Sequence, residues 1–152
     1  MIYLVHHAEA VPPEIDARRP LSDRGRAQAQ LLAFDAARLG VKPECIWHSG
    51  KVRARQTAEI FWRECHPFAH LSAERGLLPA DPPIWMRDRL CGETRQLMAV
   101  GHMPHIARLL RVLLGGDADS SAVTFPVNGM VALDATGDGW TEAWRLDPST
   151  GR

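Results

Sequence analysis

The sequence predicts an α/β protein of three layers, with helices on both faces of a central, mostly parallel sheet and an antiparallel pair at its C-terminal edge. Three observations carry this. Short apolar runs at 2–5, 45–47 and 96–100 alternate with longer segments of helical periodicity, the pattern that builds a parallel sheet through crossover helices. Two β-rich runs close the chain around Thr136-Gly137-Asp138-Gly139, which has the chemistry of a hairpin turn. With 152 residues, 45% of them apolar and 24% charged, the chain is sized for one domain (1–152) that buries a core without staples.

The elements follow in order. Ile2 to Val5 reads as a buried strand with His6 and His7 at its carboxyl end. Ala8 to Pro20 is a polar, Pro-containing loop that carries Glu9, Glu14, Asp16, Arg18 and Arg19. Ser22 N-caps a helix to about Leu39 with Ala27, Leu31, Leu32, Phe34, Ala36 and Leu39 as its apolar positions, and Gly40 stops it. Cys45-Ile46-Trp47 is the second strand and His48-Ser49-Gly50 the turn after it. A second helix spans about Lys51 to Glu64, buried through Val52, Ala58, Ile60 and Phe61. Leu71 to Ala73 is a short strand, Leu78 to Pro83 a Pro-rich loop holding Asp81, and Ile84 to Leu90 a short helix. Gln96 to Val100 is the next strand and ends in Gly101-His102. Pro104 suits the first turn of a helix from Ile106 to Leu114 that Gly115-Gly116 terminates. The closing strands are about Gly129 to Asp134 and Trp140 to Leu146.

Composition narrows the function. Lys plus Arg and Asp plus Glu are 18 each, so bulk charge points to neither nucleic acid nor a membrane surface. The three cysteines, Cys45, Cys65 and Cys91, are odd in number and lack a CxxC spacing, which argues against a disulfide framework and a cysteine zinc site. No run approaches the ~18 apolar residues of a membrane span, and the opening apolar run has no basic flank ahead of it, unlike a signal peptide. The expectation is a cytoplasmic protein.

In a parallel sheet, residues after successive strands share one edge, where ligands bind in open α/β folds. His7, Arg53 and His102 follow three of the strands. Two histidines and an arginine without carboxylates are a poor metal site and a good phosphate site. Arg53 offers a planar fork of donors in the first turn of a helix, whose free N–H groups favour an anion. A neutral histidine can attack phosphorus and carry the group covalently, while a second one donates to the phosphoryl oxygens. The other histidines read differently. His102 and His105 have a metal-compatible i, i+3 spacing but no acids beside them; His66 and His70 read as loop residues and His48 as structural. Ser49 either hydrogen-bonds in the site or caps the second helix, and Arg19 approaches its mouth. The five tryptophans read as core or partner-facing.

Four segments resemble the histidine phosphatase superfamily, the phosphoglycerate-mutase-like fold: Leu4-Val5-His6-His7-Ala8-Glu9-Ala10; Arg19-Pro20-Leu21-Ser22 with Gly25; Ser49 to Thr57, with its Arg53-Ala54-x-Gln56-Thr57; and Val100-Gly101-His102-Met103-Pro104. Small size and the Arg-Pro-Leu element look most like the SixA-type phosphohistidine phosphatase branch. The resemblance implies that His7 is the nucleophile and Arg53 the phosphate clamp. It implies that His102 binds phosphoryl oxygens and that no metal or organic cofactor takes part. It also implies a general acid after the third strand, for which Asp81 is nearest, with Glu74 and Asp88 on either side. The phosphate-binding set is His6, Arg53, His102, Ser49 and Arg19, and a phosphate or sulfate anion is the expected occupant.

The chain departs from the family twice, with His6 where the family has arginine and Ala8 where it has glycine. A protonated His6 standing in for the arginine would make activity rise as pH falls through about 6.5. The favoured function is hydrolysis of phosphohistidine on a protein. A small-molecule phosphomonoesterase and a non-catalytic module that binds phosphate or a phosphoprotein are the alternatives, the latter because of His6.

Overall fold

A computed structural model of the protein describes residues 1–150; the last two residues of the expected domain lie outside the described residues. Six strands form one sheet: β1 (Ile2–His6), β2 (Cys45–His48), β3 (His70–Ala73), β4 (Leu97–Gly101), β5 (Met130–Thr136) and β6 (Gly139–Leu146). Their order across the sheet is β3-β2-β4-β1-β5-β6. The β3–β2, β2–β4 and β4–β1 pairs are parallel, whereas β1–β5 and β5–β6 are antiparallel. The expected three-layer α/β/α architecture with an antiparallel C-terminal edge is what the chain adopts.

Strand alternation divides the core into two layers. Tyr3 and Val5 of β1, Met98 and Val100 of β4, and Met130 and Ala132 of β5 face α1 (Asp23–Arg38) and α2 (Val52–Cys65). Their neighbours Ile2, Leu4, Leu97, Ala99, Val131 and Leu133 face α3 (Pro83–Leu90) and α4 (His105–Leu113). Every residue of β1, β2 and β4 is buried, the condition of a parallel sheet covered on both sides. This is why these strands read as unbroken apolar runs rather than as alternating ones.

Boundaries differ from the expected ones by a residue or two, and two differences matter. β1 continues through His6, which pairs with Gly101, so His6 is the last strand residue. Pro104 is the N-cap of α4, which begins at His105, a residue before the expected start. The larger correction concerns α1. Its buried stripe is Gly25, Ala29, Leu32, Ala33 and Ala36, whereas Leu31, Phe34 and Leu39 are exposed. Small side chains are what α1 offers to α2, which answers with Ala54, Ala58 and Phe61. The larger apolar residues misled the reading of the stripe because closeness of approach, not size, decides which face packs here.

The start of α1 shows why its motif takes the form it does. Ser22 accepts from the Gly25 N–H at 3.0 Å and so satisfies one of the helix's free donors. A Cβ at Gly25 would stand 2.0 Å from the Glu9 carbonyl oxygen, and the Ser22 N–H donates to that same oxygen at 3.0 Å. The loop after β1 therefore lies directly on the first turn of α1.

Gly25→Ala is expected to destabilise the protein by about 1–3 kcal/mol through overpacking. Denaturant unfolding checks this; an unchanged midpoint would contradict so close an approach.

Candidate active site

The parallel pairing of β1 with β4 places the site. His6 is in register with Gly101, and the His7 N–H donates to the Gly101 carbonyl at 3.0 Å. The chain thus leaves both strands at the same level. From β1 it turns to α1 on one face, and from β4 to α4 on the other, the divergence that opens a crevice at the strands' carboxyl ends. His7 and His102 are the first residues beyond these strands, and their ring centroids lie 5.0 Å apart. The His6 ring is 4.6 Å from that of His7.

His7 is held in one tautomer. Its Nδ1 lies 2.7 Å from the Ala8 carbonyl oxygen. An amide oxygen only accepts, so Nδ1 carries the proton and Nε2 keeps its lone pair. Burial pushes the ring's pKa down to about 4; the Ala8 bond opposes this, and the charges of Arg53 and Arg19 add to the depression. The imidazole is therefore neutral and nucleophilic near pH 7.

The segment 53–57 explains itself once folded. The Thr57 hydroxyl donates to the Arg53 carbonyl at 2.8 Å and accepts the Ala8 N–H at 3.0 Å. The Gln56 side-chain carbonyl accepts the Leu21 N–H at 2.7 Å, and Ala54 is fully buried. Both polar residues thereby tie the loop after β1 to α2. Arg53 stands in the first turn of α2, and its Nε is buried without a partner. Burial, then the charge of Arg19, lowers its pKa. Ala8, the departure from glycine, packs its methyl group into the core layer under α1 and α2.

Ser49 meets His102. Its hydroxyl lies 2.6 Å from His102 Nε2, and α2 has Lys51 as its N-cap, with no side-chain cap. The expected capping role is thus replaced by a longer 3.3 Å bond from the Lys51 N–H. His102 is buried, its Nδ1 has no partner, and its pKa is pushed down to about 3, first by burial and then by competition with His7 for a proton and by the charge of Arg53. A buried donor left unpaired costs about 1–3 kcal/mol. Arg53 Nε and His102 Nδ1 are both left unpartnered, in residues that neighbour His7: the His102 ring lies 5.0 Å from its ring and the Arg53 charge bears on it.

His6 corrects one expectation. Its Nδ1 accepts the Asn128 N–H at 2.8 Å, which requires a lone pair there, and burial pushes its pKa down to about 3. His6 is neutral, with one donor at Nε2, so it offers no charge in place of an arginine. Asn128 itself went unnoticed in the sequence. It adopts a left-handed backbone (φ +56°) and donates from Nδ2 to the His7 carbonyl at 2.8 Å. The Asn128-Gly129 pair is a turn signal, and that was its only trace.

The remaining candidates divide between this centre and other parts of the surface. Arg19 donates from Nε to the Val11 carbonyl, and its charge bears on both His7 and Arg53. Asp81 and Ser49 line the same cleft. Glu74 is taken up by the Ser72 hydroxyl and Arg89, and Asp88 pairs with Arg87 on a different cleft beside Gly115. His48 accepts the Gly50 N–H and is structural, as expected. His105 is fully buried, with neither ring nitrogen bonded. Among the described residues no cluster of three or more His, Cys, Asp or Glu is placed to hold a metal.

Comparison with known proteins agrees with this geometry. The chain is 33% identical over 88 residues to the human mitochondrial serine/threonine-protein phosphatase PGAM5, a match covering 55% of this chain and 30% of the relative. The chain thus spans well under half the length of the curated relatives it matches. A putative phosphohistidine phosphatase SixA from Agrobacterium tumefaciens superposes with a TM-score of 0.78 at 28% identity, covering 97% of each chain. The protein histidine phosphatase SixA complexed with tungstate superposes at 0.84 with 18% identity over 99% of each chain, a likeness of fold. The model of the histidine phosphatase superfamily (branch 1) matches residues 2–77, which carry His7, Ser49 and Arg53. With half of its length under that model and the second histidine beside the first, this chain belongs to the histidine phosphatase superfamily.

Proposed function

We propose that the protein is a phosphatase working through a covalent phosphohistidine on His7, with phosphohistidine in a protein as its substrate and the cytoplasm, where its free cysteines stay reduced, as its location. The observation that carries this is the His7 tautomer: the Nδ1–H···O=C bond to Ala8 leaves Nε2 its lone pair, in a ring packed beside those of His6 and His102 and within reach of the Arg53 charge. Nε2 forms a bond to phosphorus as the bond from phosphorus to the leaving atom breaks, its electron pair going to that atom. Arg53 and His102 hold the phosphoryl oxygens, with Ser49 orienting His102; Arg19 adds positive charge, and His6 one N–H. Water then attacks phosphorus, the N–P bond breaks, and Nε2 recovers its lone pair as phosphate leaves.

Asp81, on the cleft that Ser49 also lines, is the proposed proton donor for an ester leaving group. A phosphorylated imidazole needs no such help when its other nitrogen is already protonated. A small phosphate ester is therefore the more demanding substrate. The neutral state of His6 favours one other reading, a module that binds a phosphorylated protein with little or no turnover.

A phosphoenzyme trap separates these readings. Wild type, His7→Ala and His6→Arg are mixed with labelled phosphoramidate, quenched, and assayed for base-stable, acid-labile label. The expected result is label on wild type, none on His7→Ala, and labelling about 100-fold faster in His6→Arg, the scale of one oriented charge at such a site. Phosphate binding without label in any of the three would establish the binding module instead.

The histidine rings make a separate prediction. In the folded protein His6 and His7 gain their protons only as pH falls through about 3 and about 4, so both remain neutral at pH 5. Side-chain NMR is expected to show no titration of either between pH 8 and 5, and no rise in activity through 6.5. A His6 resonance titrating near 6.5 would restore the charged-His6 expectation.

A further inference from the structure

A cleft of about 390 Å³ opens beside the reacting centre, lined by Ser49, Ala73, Gly76, Leu78, Asp81 and Trp85 among others. Ser49 is common to the cleft and the site, because its hydroxyl is bonded to His102, the ring next to His7. The cleft therefore adjoins the ring that packs against His7. Ala73 and Gly76 add little bulk to its lining.

Three features give the cleft a chemical preference. Trp85 keeps 56% of its surface exposed although it stands on the first turn of α3, where Pro82 is the N-cap and Pro83 the first helical residue. A large aromatic ring left in solvent on so rigid a turn is a preformed stacking face. Leu78, 41% exposed, adds a second apolar contact. Between them, Asp81 is fixed by its own turn, with Oδ2 accepting the Leu78 N–H at 2.9 Å and its N–H donating to the Leu78 carbonyl at 3.1 Å. Glu74, the other acid on the cleft, is bonded to Ser72 and Arg89, so the carboxylate left for a ligand is that of Asp81.

We infer that this cleft is the leaving-group subsite and that Trp85 is its specificity-determining residue, selecting the imidazole ring of a phosphorylated histidine over an aliphatic alcohol. The inference rests on the phosphatase reading above. A phosphorylated imidazole brings a flat apolar face for Trp85 and, on its far nitrogen, an N–H for the Asp81 carboxylate. When the P–N bond breaks, its electron pair returns to the ring, which leaves as neutral imidazole with that N–H still in place. A phosphorylated serine offers neither the face nor the N–H.

The test compares kcat/KM for a phosphohistidine peptide, phenyl phosphate, phosphoserine and phosphoramidate, whose leaving group is ammonia. In wild type the ring-bearing phosphohistidine is expected to exceed phosphoserine. Trp85→Ala is expected to lower the phosphohistidine-to-phosphoramidate ratio about 3- to 10-fold, the size of one stacking contact. Trp85→Phe, which keeps an aromatic face, restores most of that ratio. Asp81→Asn lowers the phosphohistidine-to-phosphoramidate ratio as well, and it slows phenyl phosphate separately, through loss of the proton donor for an ester. Turnover of phosphoramidate with ratios indifferent to Trp85 overturns the subsite and leaves the phosphatase standing. A wild-type protein that turns over none of the four overturns both.

Discussion

The pairing of β1 with β4 is the constraint on which the rest depends. These strands lie side by side at the centre of the sheet but are separated by about ninety residues of chain. Their parallel register, closed by the bond from the His7 N–H to Gly101, sets His7 and His102 at one level and one ring's width apart. A slip of one residue would turn one of the two histidines to the opposite face. The register is protected by burial, because Ile2 and Leu4 must meet one layer of helices while Tyr3 and Val5 meet the other.

The second level of organisation is a set of short polar ties that hold the loop after β1. Ser22, Gln56 and Thr57 each meet that loop or the start of α1, and Gly25 lets the Glu9 backbone lie against the helix. These residues touch no reacting atom in the proposed mechanism. They fix Ala8, whose carbonyl in turn fixes the tautomer of His7. In the proposed mechanism the segment Arg53 to Thr57 therefore joins two functions in one turn of helix: a charge for an anion and a brace for the nucleophile. That economy accounts for a motif in which the polar residues stand at positions 53, 56 and 57 of a single face.

Electrostatics in the crevice follow from burial. His6, His7 and His102 are packed together with Arg53, and each ring is driven towards its neutral form. Neutral rings suit a nucleophile, and they leave the positive charge of the centre to Arg53 and Arg19. His6 occupies a position where the family carries arginine, and Asn128 has locked it by using its Nδ1 as an acceptor. In the proposed mechanism what His6 can donate to the anion is thereby reduced to a single N–H, while the loop before β5 gains a brace.

Much of this was legible without coordinates. Unbroken apolar runs announced the covered parallel strands, the glycine turn announced the hairpin, and His7, Arg53 and His102 were placed on one edge because parallel strands share their carboxyl ends. Local chemistry decides such features, so the sequence alone determines them. Only the tertiary structure decided which face of α1 is buried, because that depends on how closely α2 approaches. It also decided that Ser49 reaches His102 rather than capping α2, that Glu74 and Asp88 are taken up elsewhere, and that Asn128 holds both His6 and His7. Most of these are contacts between residues distant in the chain, with partners chosen by packing, which no spacing within the sequence encodes.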